Sequence, residues 1–62
     1  MADLISPGDI VRHPNEPDWG LGQVQTIVGS RITVNFENAG KRVINATRID
    51  LVVVESDPRD IP

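Results

Sequence analysis

The sequence predicts an all-β domain, a small barrel of five short strands. Three observations carry that expectation. Five glycines and five prolines cut 62 residues into pieces too short for ordinary helices. The stretches between them are rich in Val, Ile and Thr, residues that suit a pleated, half-buried surface. No window places apolar residues at helical spacing over three turns.

Pro7-Gly8 reads as an opening turn. Asp9 to His13 follows as a first strand, with Ile10 and Arg12 on one face and Val11 and His13 on the other. Pro14 to Asp18 is a loop, because two prolines among Asn15, Glu16 and Asp18 do not fit inside a sheet. Leu21 to Val28 is a second strand; Gly20 and Gly22 at its start indicate a sharp bend or a close backbone approach. Gly29-Ser30 is a two-residue hairpin loop whose leading glycine suits a type II′ turn. Arg31 to Phe36 is the clearest strand, since Ile32, Val34 and Phe36 alternate with Arg31, Thr33 and Asn35. Asn38-Ala39-Gly40 is a three-residue loop closed by Gly40 in the left-handed region, and Lys41 to Asn45 returns as the fourth strand. Ala46-Thr47-Arg48 is one tight 3₁₀ turn, and Ile49 to Val54 is the fifth strand.

Five strands, a central meander and a 3₁₀ turn before the last strand describe a barrel of the SH3 or Tudor type, whose closure removes exposed edges. The expected core is Val11, Leu21, Val24, Ile27, Ile32, Val34, Phe36, Val43, Ile49 and Leu51. Residues 1–6 are a lead-in, 7–54 the barrel, and 55–62 a loose acidic tail.

Size and chemistry exclude several classes of function. A chain this short buries only about 60% of the surface its unfolded form exposes, leaving a thin core and no room for a cleft. With no cysteine and one histidine, neither a disulfide nor a Cys/His metal cage is available. The serines, Ser6, Ser30 and Ser56, are not placed beside His13 by any motif, so no nucleophile and base pair up. The expectation is a non-enzyme without cofactor or metal, in which His13 is structural, packed near Trp19 or bonded to the backbone. Gly20 and Gly22 lack the third glycine and following helix of a phosphate loop. The longest apolar run, Leu51 to Val54, is far short of a bilayer span, and Met1-Ala2-Asp3 opens without a secretory pattern. The expected location is therefore the cytoplasm.

The net charge of -3 and pI near 4.7 argue against a general nucleic-acid binder. The middle of the chain differs from the rest: Arg31, Lys41, Arg42 and Arg48 stand there against Glu37 alone. In a two-hairpin meander Arg31 and the Lys41-Arg42 pair fall at opposite ends of the third strand. A methyl-lysine cage, a Pro-rich-peptide groove or a base-stacking platform each needs several aromatic side chains. With Phe36 inward, Trp19 alone remains.

Three stretches, in this order, carry a family resemblance: Pro7-Gly8-Asp9-Ile10-Val11-Arg12-His13-Pro14, then Trp19-Gly20-Leu21-Gly22-Gln23-Val24, then Thr33 to Arg42. They resemble the Tudor-like C-terminal domain of UvrD/PcrA-type repair helicases and the N-terminal Tudor-like domain of the RapA ATPase. They are also similar to a family of short stand-alone bacterial proteins of unknown function. The helicase and ATPase resemblance implies a module that touches RNA polymerase, without the motor.

The expected function is thus a monomeric, non-catalytic protein-interaction module linked to transcription. Its candidate contact residues are Trp19, Pro17, Asp18, Leu21 and Gln23. Trp19 is the one large anchor, and Pro14 and Pro17 preorder the loop before it. Two alternatives remain: a weak nucleic-acid binder using Arg31, Lys41, Arg42 and Arg48, and a self-associating structural module.

Overall fold

The computed structural model describes residues 5–55, and those residues form one five-stranded antiparallel sheet. The strands are β1 (Ile10–Arg12), β2 (Leu21–Val28), β3 (Arg31–Phe36), β4 (Gly40–Asn45) and β5 (Val52–Glu55). Their order across the sheet is β4-β3-β2-β1-β5, the SH3-like arrangement of a three-strand meander whose first strand also pairs with β1. β2 and β3 have the bounds expected of them.

The opening turn forms as Pro7 and Gly8 dictate. Asp9 N–H donates to the Ser6 carbonyl at 3.1 Å, and Gly8 sits at φ 96°. Pro then glycine with positive φ is the type II pattern. The buried Asp9 carboxylate accepts the Ser6 N–H at 2.9 Å, so the turn is fastened on both sides. This anchors Ile5, which is buried in the core although the sequence reading leaves it in the lead-in.

Gly29 has φ 58° while Ser30 does not have a positive φ, as a type II′ loop requires. The second hairpin pairs Phe36 with Gly40, so its loop is 37–39, one residue earlier than expected; Gly40 has the predicted positive φ, 74°. β2 carries a bulge between Val24 and Thr26, leaving Gln25 unpaired. The extra residue turns both Val24 and Ile27 toward the same side, despite their spacing of three.

The core consists of Ile5, Val11, Val24, Ile32, Val34, Phe36, Ile44 and Leu51, with Trp19, Ile27, Ala39, Ala46 and Ile49 packed against it. Two expected core residues are not in it. Val43 is 63% exposed and Ile44 takes its place, because Ile32 lies opposite Ile44 and directly opposed residues share a face. Leu21 is 40% exposed, because the inward position at this end of β2 belongs to Gly22.

The last strand is also shorter than expected. Residues 49–51 are not in a strand; they carry the chain from β4 toward β1, and β5 begins where Val52 meets Arg12. Ile49 and Leu51 contact the core from this connection, so their spacing of two imitates a strand. The tight turn at 46–48 is closed by Arg48 N–H and Ile49 N–H on the Asn45 carbonyl, both at 3.0 Å. The one 3₁₀ helix among the described residues lies elsewhere, at Pro17–Trp19, overlapping the end of the loop expected over Pro14 to Asp18. Among the described residues the ladder ends on β4 and β5, so closure does not remove these two edges as expected. The expected acidic tail lies outside the described residues apart from Glu55, which belongs to β5.

Candidate interaction surface around Trp19

The segment between β1 and β2 delivers Trp19 to one end of the core. Pro17 starts the 3₁₀ turn, where its missing N–H costs nothing. Trp19 N–H donates to the Glu16 carbonyl at 3.1 Å and Gly20 N–H to the Pro17 carbonyl at 3.2 Å. Gly20 then turns the chain into β2 at φ 76°, ψ -160°, a conformation that only glycine adopts readily.

The β3–β4 loop clasps this segment. Glu37 N–H donates to the Leu21 carbonyl at 2.9 Å, and Asn38 N–H to the Trp19 carbonyl at 3.0 Å. Side chains add two more bonds: the Glu37 carboxylate accepts Leu21 N–H at 2.8 Å, and Asn38 Nδ2 donates to the Asp18 carbonyl at 3.2 Å. Four bonds thus fix Asp18 to Leu21. A side chain at Gly20 would collide with this clasp, meeting Glu37 Cγ and Oε2 at 2.6 Å.

Trp19 is half-buried and lies in an aromatic cluster. Its ring centroid is 4.8 Å from that of His13 and 5.2 Å from that of Phe36, in edge-on arrangements at 61° and 60°. His13 itself is buried, and its Nδ1 accepts Asn15 N–H at 3.1 Å. Both structural roles expected of it, ring packing and a backbone bond, are present. Over the Trp19 ring lies Arg42, with its guanidinium carbon 5.2 Å from the centroid. Among the described residues no three His, Asp or Glu side chains gather as a metal site would need.

The sequence-derived candidates divide into places. Pro17, Asp18 and Trp19 share the 3₁₀ turn, with Pro17 and Asp18 exposed. Leu21 and Gln23 lie beyond it on the outer face of β2, opposite Arg12 and Ile10. The basic set also separates. Arg31 pairs with Asn45 at one end of β3, while Lys41 and Arg42 pair with Asn35 and Val34 toward the other. Arg48 lies in the 46–48 turn, which is tied to the first hairpin through Ala46 N–H and the Ser30 carbonyl at 2.7 Å.

Two features escape the sequence reading. Arg42 belongs with Trp19, and only the register shows it: Phe36 opposite Gly40 puts Arg42 opposite Val34, on the core side. Gly20 and Gly22 do mark close approaches, but their neighbours are this chain's own. A Cβ at Gly22 would meet Val34 Cγ1 at 2.5 Å and a Phe36 ring carbon at 2.7 Å. The space on the Cβ side of both glycines is filled by this chain's own side chains.

The described residues, from buried Ile5 to all but the last residue of β5, coincide with one family match. The chain belongs to the DUF3553 family, proteins of unknown function, whose model matches residues 5–54. No curated protein and no solved structure matches it. In this DUF3553 chain, the family region therefore includes the Ser6–Asp9 turn, the Trp19 cluster and most of β5.

Proposed function

We propose that this chain is a non-catalytic protein-interaction module that works in the cytoplasm on RNA polymerase or a factor associated with it. The observation that supports an interaction role is the prebuilt Trp19 surface. A half-buried indole, backed by His13 and Phe36 and covered by Arg42, stands on a segment held by four hydrogen bonds. Trp and Arg are the residue types that most often dominate binding energy at interfaces. A surface already fixed before binding loses less entropy when it docks. Pro17 and Asp18 precede the indole in the exposed 3₁₀ turn, and Leu21 and Gln23 follow it on the outer face of β2. The link to transcription rests on the resemblance to the Tudor-like modules of UvrD/PcrA-type helicases and RapA.

The test is an NMR titration of the labelled chain with core RNA polymerase at moderate salt. Broadening centred on Trp19 and Leu21 is the expected result. Changes confined to Arg31, Lys41 and Arg48 and reproduced by duplex DNA would replace this reading with nucleic-acid binding. No change with either ligand would remove the transcription link.

A further inference from the structure

The two edges of the sheet are chemically unlike. β5 is four residues long, its pairing with β1 is interrupted by a bulge, and it ends on Glu55. Bulges and charges of this kind blunt an edge. β4 is six residues long and pairs with β3 without a register shift, residue for residue from Gly40 to Asn45. Among the described residues its other side carries no strand. The edge pair, β3 and β4, holds Arg31, Lys41 and Arg42 and no carboxylate. Along β4 the side chains alternate: Lys41 and Val43 face outward, with Val43 63% exposed, while Arg42 reaches the Trp19 ring on the core side.

We infer that the β4 edge accepts an extended, acidic segment of a protein partner as a sixth strand. The inference rests on the protein-interaction reading above and names the mode and the chemistry of the partner. Strand addition takes its affinity from main-chain hydrogen bonds and its specificity from alternate side chains. Here a carboxylate opposite Lys41 and an apolar residue opposite Val43 match the outer face. The intervening residue meets Arg42 beside Trp19, so the edge and the aromatic cluster form one continuous surface. A second copy of this chain fits poorly, because two β4 edges bring cations together without a counter-charge. The same charges that repel a copy select an acidic strand.

The probe is a capped hexapeptide with Thr at odd positions and Val, Glu and Glu at even ones, titrated into the ¹⁵N-labelled full chain. Two further peptides carry N-methyl groups on the odd or on the even amides. An edge strand bonds through only one of these sets, so one methylated peptide is expected to bind and the other to fail. β4 amides should shift and gain exchange protection. Lys41→Glu should weaken the acidic peptide by at least about fivefold and favour its Lys-substituted counterpart. Equal binding of both methylated peptides, or shifts at Trp19 without β4, would overturn strand addition while leaving an interaction surface in place. No binding of the peptide, with RNA polymerase still broadening Trp19, would do the same. Displacement of the peptide by duplex DNA at the same residues would overturn both readings.

Discussion

Gly22 gives the sharpest test of how the sheet is packed. It is buried opposite Phe36, and its backbone is not in the positive-φ region, so alanine there meets a steric penalty alone. The added Cβ would lie 2.5 Å from Val34 Cγ1 and 2.7 and 2.9 Å from two Phe36 ring carbons. Neither neighbour can retreat, since Val34 is 0% and Phe36 2% exposed. Overpacking a filled core costs about 1–3 kcal/mol, and a stiff β-branched valine beside a ring puts Gly22→Ala at about 2–3 kcal/mol. A domain of this size has about 3–9 kcal/mol of stability in all, and the loss corresponds to roughly 10–20 °C in Tm. Urea unfolding followed by Trp19 fluorescence reads it directly, with an unchanged m-value. Val34→Ala removes the nearest clashing methyl and costs about 2 kcal/mol alone. The double variant should then lose about 1 kcal/mol less than the sum of the two single losses. A Gly22→Ala cost below about 0.5 kcal/mol, or strict additivity with Val34→Ala, would refute the packing described.

Three more substitutions separate other terms. Gly20→Ala combines a glycine-only backbone conformation with collision against Glu37, and should cost about 2–4 kcal/mol by urea unfolding while exposing the Leu21 amide to exchange. Gly40→Val meets no atom within 4 Å of its Cβ, so only the φ of 74° opposes it; a loss of about 1–2 kcal/mol is expected, and no loss would contradict the turn geometry. Phe36→Ala empties the centre of the core for about 3–5 kcal/mol, enough to collapse amide dispersion in a ¹⁵N spectrum; a well-dispersed spectrum would show the core to be held elsewhere.

What the sequence made legible follows from where local chemistry decides the outcome. β3 alternates cleanly, Gly29-Ser30 selects its own turn, and Pro7-Gly8 leaves the chain one economical bend, so these were readable. β4 contains adjacent apolar residues, Val43 and Ile44, and local pattern does not choose between them. The choice is made across the hairpin, by Phe36 pairing with Gly40. That same register hid Arg42, which counted as a surface cation until it was placed over Trp19. Ile49 and Leu51 looked like strand because a connection crossing the core can also bury alternate residues. The Glu37 and Asn38 clasp carried no signal of its own, since exposed polar residues in a hairpin loop are commonplace and only their partners distinguish these.

The fold assigns most of the distinctive residues to structural duties: the two glycines admit neighbouring side chains, His13 packs against Trp19 and accepts the Asn15 N–H, and Asp9 fastens the first turn. What remains for a partner is the indole face, Arg42 and the open edge beside them. The most direct measurement is the affinity of the full chain for core RNA polymerase at several salt concentrations, with Arg42→Gln alongside and duplex DNA as competitor. A protein interface predicts a loss of less than about tenfold between roughly 50 and 200 mM salt, weaker binding by Arg42→Gln, and no displacement by DNA. A loss of about a thousandfold or more over that range, with DNA displacing the polymerase, would contradict the account.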